Sequence, residues 1–244
     1  MKKHLSVFTL VLRQKLKWAL IFILAAPVIS LPVYRFAFLG KFSLEPGTFQ
    51  VGSAYLAFYF PFLLCSLGVA VVCCGLFPGK SHPRYLLARL RISERMVLVW
   101  EMIACALLFL LLWQVEIIAV VTAGLMHNAS EYNLSGVMDV VVAMYNNPFY
   151  RAIVPLSEIS LWVRNICFVL CSGAVSACVS HYPGDSSSRG LGIATLAILA
   201  VFYISGWSLE GVFFIVLFAS ITVALTVKRL HNGKARSGNE AMDC

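Results

Sequence analysis

The chain has 244 residues, of which 60% are hydrophobic and only 12% are charged. Globular domains carry about 25% charged residues, and a soluble domain of this length has no interior large enough for so much apolar surface. The net charge of +8 comes from basic clusters beside apolar runs. That arrangement is typical of membrane-protein orientation signals rather than of a nucleic-acid-binding stripe. We therefore expect one membrane domain, with no nucleic-acid partner.

The first seventeen residues have the pattern of an amphipathic helix. Leu5, Phe8, Leu12 and Leu16 recur at helical spacing, and polar residues occupy another face. Such a helix lies in the membrane interface, with its basic side toward anionic headgroups. Residues 1–17 are therefore predicted to form an interfacial elbow helix that precedes the first membrane span.

Six apolar runs follow, and runs of about 18 residues or more are candidates for spanning helices. The runs are continuous rather than alternating, which favours helices over a barrel. The predicted fold class is an all-α integral membrane protein with a six-helix transmembrane domain over residues 18–230. The last two runs are short, so two thin spans and a re-entrant hairpin both stay open. The predicted spans cover residues 18–38, 52–77, 99–126, 157–181, 191–206 and 210–227.

Basic residues indicate the orientation of these spans. If the N-terminus is cytoplasmic, that side holds the lysines and arginines of residues 2–17, 80–95, 189 and 228–236, whereas the outer side holds only Arg35, Lys41 and Arg151. An excess of this kind on one side predicts that both termini are cytoplasmic. The polar segment 231–244 is predicted to be a disordered cytoplasmic tail.

Candidate enzymatic motifs fail when their spacing is examined. Residues 75–81 resemble a phosphate-binding loop, but three residues separate the glycines where that loop needs four. Pro78 and Gly79 are expected instead to end the second span. Histidines and cysteines do not cluster at metal-ligand spacing, and no catalytic constellation is present. We expect neither an enzyme nor a cofactor or metal bound by this chain.

Two charges lie well inside predicted spans, away from the span ends, where ionisable residues are costly and usually functional. Glu116 lies in the third span and Arg164 in the fourth, both in the outer half. An intramembrane ion pair between them is one hypothesis. The alternative is that each side chain snorkels or faces a hydrated cavity separately. Glu94 and Glu101, near the start of the third span, are expected to favour its helix N-terminus.

A basic segment between the second and third spans carries the strongest functional signal. It reads Arg89-Leu90-Arg91-Ile92-Ser93-Glu94-Arg95 and leads directly into an apolar run. With six spans and an N-terminal elbow, it resembles the permease subunit of small six-helix type 2 ABC exporters. In that family the segment typically reads Arg-x-Leu-Pro-Ile/Leu-Ser-Arg, so this chain differs by having Arg91 at the proline and Glu94 at an arginine.

The resemblance implies a short cytoplasmic coupling helix between spans two and three, which docks on a separate ATP-binding cassette subunit. The docking residues carried over to this chain are Arg84, Tyr85, Arg89, Leu90, Arg91, Ile92, Ser93 and Arg95.

ATP and Mg would be bound by that partner subunit. Two permease chains would form the pathway, with a homodimer favoured over a heterodimer, in a bacterial cell membrane. The implied cargo is hydrophobic or amphipathic: a peptide, an antimicrobial or a lipid-like molecule. A stand-alone secondary transporter is the alternative function.

Overall fold

The computed structural model describes residues 2–37, 51–75, 94–131, 153–154, 158–181, 186–204 and 209–240. These residues form six α-helices and no strand, which confirms the all-helical fold class. Each helix contains most of one predicted apolar run. The helices are α1 (Lys2–Ala37), α2 (Val51–Cys73), α3 (Glu94–Glu131), α4 (Ile159–His181), α5 (Ser186–Ile204) and α6 (Leu209–Glu240).

Three helices in the described part of the chain are long and apolar enough to cross a membrane. The qualifying stretches are Ser6–Arg35, Arg95–Ala123 and Ile159–Ser180. Shorter apolar stretches occur in the other three helices, at Phe58–Cys73, Arg189–Val201 and Glu210–Leu225. The helices therefore indicate association with a membrane, and the count of six complete spans stays a prediction.

Helix α1 contains both the predicted elbow and most of the first predicted span, and the interfacial position of residues 1–17 stays a prediction. It continues without a break from Lys2 to Ala37, past the predicted boundary at residue 17. No glycine or proline lies near that boundary, and extending an existing helix is far easier than starting a new one. The beginning of α1 also packs on α3, where Val7 and Val11 form a small core with Val97 and Ala104.

Helix ends differ from the predictions at two further places. Helix α2 ends at Cys73, and Gly75 follows with a positive φ of 74° and its amide donating to the carbonyl of Val72 at 3.1 Å. Glycine reaches this left-handed conformation without steric cost, so Gly75, rather than Pro78 or Gly79, ends the second helix. Helix α6 continues to Glu240. Ten residues predicted as disordered tail are helical, because each adds a hydrogen bond to an existing helix.

Helix α4 is the central helix of the bundle. It packs against α3, α5 and α6, while α1 packs against α2 and α3, and α2 also contacts α5. Most buried apolar side chains belong to one continuous core shared by all six helices. The outward sides of α1 and α4 keep large apolar residues exposed, such as Val28 and Leu170. Exposed apolar faces of this extent suit contact with lipid.

Close contact between α3 and α4 depends on Gly173. A Cβ atom at this position would lie 2.8 Å from the Cβ of Ala106 and 2.9 Å from its backbone nitrogen. Because one of these atoms belongs to the α3 backbone, a side chain could be accommodated only by moving one helix away from the other. Small residues commonly permit such close approach between membrane helices.

We expect Gly173→Ala to destabilise the protein by about 1–3 kcal/mol, the usual cost of overpacking. Gly190→Ala is the matched control, because a Cβ there meets nothing within 4 Å and alanine favours a helix over glycine. Thermal unfolding of the purified protein should give a lower midpoint for Gly173→Ala and an unchanged or higher one for Gly190→Ala. Equal midpoints for the two variants would contradict the proposed helix contact.

Candidate functional site

The described residues do not include most of the predicted docking segment. Arg84, Tyr85, Arg89, Leu90, Arg91, Ile92 and Ser93 all lie outside them. Arg95 is described: it lies in the first turn of α3 and is exposed. The predicted coupling helix therefore stays a prediction, whereas the two helices that flank it, α2 and α3, are described.

A buried ion pair joins α1 to α3 next to the end of α2. The ammonium group of Lys15 lies 2.6 Å from Oε1 of Glu101, with 8% of the lysine side chain and 10% of the glutamate side chain exposed. Lys15 also donates to the backbone carbonyl of Cys73, the last residue of α2, at 2.8 Å. We call Lys15, Cys73, Glu101, Cys105 and Ser180 the Lys15 node.

Ser180, near the end of α4, completes the node. Its hydroxyl donates to Oε1 of Glu101 at 2.6 Å and lies 3.3 Å from Nζ of Lys15. The sulfur of Cys105 is 3.4 Å from the same nitrogen. An ammonium group has three donor hydrogens and accepts nothing, so these oxygen and sulfur acceptors surround it. Four helices therefore meet at one lysine.

Helical spacing explains why Lys15 is buried. It stands between Val11 and Ala19 in a buried stripe on α1, in which Val7, Val11, Lys15, Ala19 and Ile23 follow one another at intervals of four residues. Glu101 occupies the equivalent face of α3, four residues after Val97 and seven before Leu108. Each charge thus stands at a position that the helix period directs into the protein interior.

Burial makes the two charges dependent on each other. Transferring an ion out of water costs several kcal/mol even after the protein relaxes, and a buried partner offsets that cost only when further hydrogen bonds are made. The Cys73 carbonyl and the Ser180 hydroxyl supply those bonds. Removing one charge would leave the other buried without its counter-charge.

The described cysteines are free thiols. Five are buried and two, Cys167 and Cys171, are half-buried. Cys105 differs from a simple small hydrophobe because its sulfur faces the ammonium group of Lys15. Among the residues that the structure describes, no three His, Cys, Asp or Glu side chains converge on a metal-sized site.

A second polar cluster surrounds Arg164. Arg164 and Asn165 are both fully buried on α4, and Nε and Nη2 of the arginine lie 3.3 Å and 3.1 Å from Oδ1 of Asn165. The guanidinium carbon is 5.3 Å from the centre of the Tyr203 ring. That ring stacks on Phe168 with centroids 4.5 Å apart. Arg164 is therefore held in the core by polar and aromatic neighbours from α4 and α5.

Glu116 is also fully buried, on the neighbouring helix α3. Neither of its carboxyl oxygens hydrogen bonds to another residue in the described ranges, and the Tyr203 hydroxyl is equally unpartnered there. Both predicted intramembrane charges thus point into the protein rather than snorkelling to its surface. Arg164 donates no hydrogen bond to either carboxyl oxygen of Glu116, and the ion pair between the two residues stays a prediction.

The two clusters occupy different depths of α3. Glu101 and Glu116 are 15 residues apart, which corresponds to roughly 22 Å along a helix axis. The Lys15 node is missed by the sequence prediction, which assigns Lys15 to the basic exterior and Glu101 to the helix N-terminus. The available signal in the sequence is that Lys15 lies four residues from both Val11 and Ala19, on the same helix face as these apolar residues.

Comparisons with protein-family models, with curated proteins and with solved structures give no match.

We expect Lys15→Met to lower the free energy of unfolding by about 3 kcal/mol, the usual result of breaking a buried ion pair from one side. Lys17→Met is the matched control, because Lys17 lies on the same helix and is exposed. Unfolding of both variants in mild detergent can be followed by circular dichroism. If Lys15→Met is no less stable than Lys17→Met, the Lys15 node does not form as described.

Proposed function

We propose that this chain is the transmembrane permease subunit of an ATP-driven exporter. It moves a hydrophobic or amphipathic substrate out of the cell and takes its energy from a separate ATP-binding cassette subunit, which binds ATP and Mg. Two permease chains form the pathway, and both termini of each chain are cytoplasmic. The predicted coupling helix between α2 and α3 receives the motion of the ATP-binding subunit.

The Lys15 node is the observation that best supports this function. A permease driven by another chain needs a path from its cytoplasmic loop to its membrane helices. Lys15 bonds to the last residue of α2 and to Glu101 in α3, the helices on either side of residues 76–93. Ser180 adds α4 to the same group of contacts. A displacement of that loop would therefore reach α1 and α4 through a buried polar connection.

The basic charge of residues 80–95 is a second argument for a separate ATP-binding subunit. Residues 80–95 contain five of the chain's 19 lysines and arginines. The last of the five, Arg95, lies in the first turn of α3 and is exposed. Basic groups at this face can form ion pairs with an acidic groove of a cytoplasmic partner, and complementary charge favours both specificity and the rate of association.

One observation favours a secondary transporter as the second candidate function. Glu116 is fully buried without a hydrogen bond to the described residues, and buried acids in membrane spans can act as proton carriers. In that case Glu116→Gln would abolish transport driven by a proton gradient. ATP-driven export predicts instead that transport continues after the proton gradient is collapsed by an ionophore.

The experiment is affinity purification of the full chain from membranes of its own host, followed by mass spectrometry and an ATPase assay. We expect an ATP-binding cassette subunit to co-purify with the wild type. Arg91→Glu should reduce its recovery and the associated ATPase activity by about tenfold, since a reversed charge at a docking surface costs roughly 1–2 kcal/mol.

Arg236→Glu is the control, because it makes the same charge change on the same predicted side of the membrane but outside the docking segment. Recovery of the ATPase should be unchanged in this variant. Equal recovery with Arg91→Glu and Arg236→Glu would show that residues 84–95 do not dock the ATP-binding subunit. A wild-type chain that purifies without any such subunit and transports without ATP would contradict the exporter itself.

A further inference from the structure

A long apolar groove lies between α3, α4 and α6. Its floor is α4, and its walls are α3 and α6, which both pack on α4 but make few close contacts with each other in the described part of the chain. Its volume is about 1160 Å³, slightly above the roughly 300–1,000 Å³ typical of ligand pockets. Its lining is apolar along nearly its whole length.

The length of the groove corresponds to one leaflet of a bilayer. Along α3 it extends from Val99 to Leu110, which is roughly 16 Å at the rise of an α-helix. Along α6 it extends from Ala219 to Lys228, roughly 14 Å by the same rise. Half of a hydrocarbon core is about 15 Å thick. An acyl chain inserted from one membrane surface would therefore fill this groove from end to end.

Charge distinguishes the two ends of the groove. Among the described residues that line the groove, Lys228 alone is charged, and it is exposed at the end where α3 begins. The opposite end, beside Leu110 and Ala219, is apolar. An ammonium group at the mouth of an apolar groove complements a lipid whose phosphate is anionic and whose chains extend inward. The predicted orientation assigns this end to the cytoplasmic leaflet, where anionic lipids are concentrated.

We propose that the groove between α3, α4 and α6 is a binding site for an anionic phospholipid, with an acyl chain along α4 and its phosphate at Lys228. This assignment depends on the apolar bundle and not on an ATP-binding partner.

Native mass spectrometry of the full chain in detergent tests the proposal by titration with dioleoyl phosphatidylglycerol and with dioleoyl phosphatidylcholine. The wild type should bind the anionic lipid more tightly. Lys228→Glu should weaken phosphatidylglycerol binding by about fivefold or more, since a basic residue at the membrane surface contributes about 1 kcal/mol. Binding of phosphatidylcholine should change little. Lys17→Glu, at an exposed lysine of α1, is the matched control and should have no such effect.

Ala224→Trp tests the apolar part of the site by filling the groove. Ala224 is exposed and lines the groove, whereas the adjacent Leu225 is exposed outside it. Ala224→Trp should therefore weaken binding of both lipids at least fivefold, and Leu225→Trp should not. Since none of these side chains is buried, the variants remove no core contact.

Two results would overturn the proposal. One is an equal loss of phosphatidylglycerol binding in Lys228→Glu and Lys17→Glu, which would indicate unspecific attraction to headgroups. The other is a native mass that falls from dimer to monomer in Ala224→Trp but not in Leu225→Trp. That outcome would assign the groove to a second copy of the chain.

Discussion

The buried contact between Lys15 and Glu101 constrains the arrangement of four helices. A lysine that is 8% exposed must have its charge balanced and its hydrogens accepted, and it achieves both only where α1, α2, α3 and α4 approach one another. The end of α2 supplies a carbonyl, α3 a carboxylate and α4 a hydroxyl. Sliding or rotating any one of these helices would remove an acceptor, so the ion pair fixes their relative register more sharply than apolar packing alone.

Apolar contacts between membrane helices are not specific in this way, because lipid tails are as apolar as leucine. Shape then matters, as at Gly173, where α3 and α4 approach too closely to admit a side chain. The second polar cluster adds a constraint near the opposite end of α3, where Arg164 lies over the ring of Tyr203. Helix α3 is thus tied to its neighbours by a charged side chain at Glu101 and by close apolar packing at Ala106, opposite Gly173.

The helices are predictable from sequence because hydropathy marks them directly. The run 99–126 lies wholly within α3, and no other fold class suits so few charges. Which face of each helix is buried is harder to predict, since protein interior and lipid are both apolar. Lys15 illustrates the difficulty: Arg13 and Lys17, two residues to either side, are exposed, and composition treats all three alike. Only the spacing of Lys15 with Val11 and Ala19 distinguishes it, and its partner Glu101 is 86 residues away. Contacts at that separation depend on the tertiary fold.

The most direct test of the Lys15 node is a double-mutant cycle on Lys15→Met and Glu101→Gln, measured as free energies of unfolding in lipid or mild detergent. A direct, buried interaction predicts that the two changes are not additive, with a coupling energy of about 1–3 kcal/mol. The double variant should then be little less stable than either single variant. If the two effects add to within about 0.5 kcal/mol, as they do for independent sites, Lys15 and Glu101 do not interact and the four helices are held by packing alone.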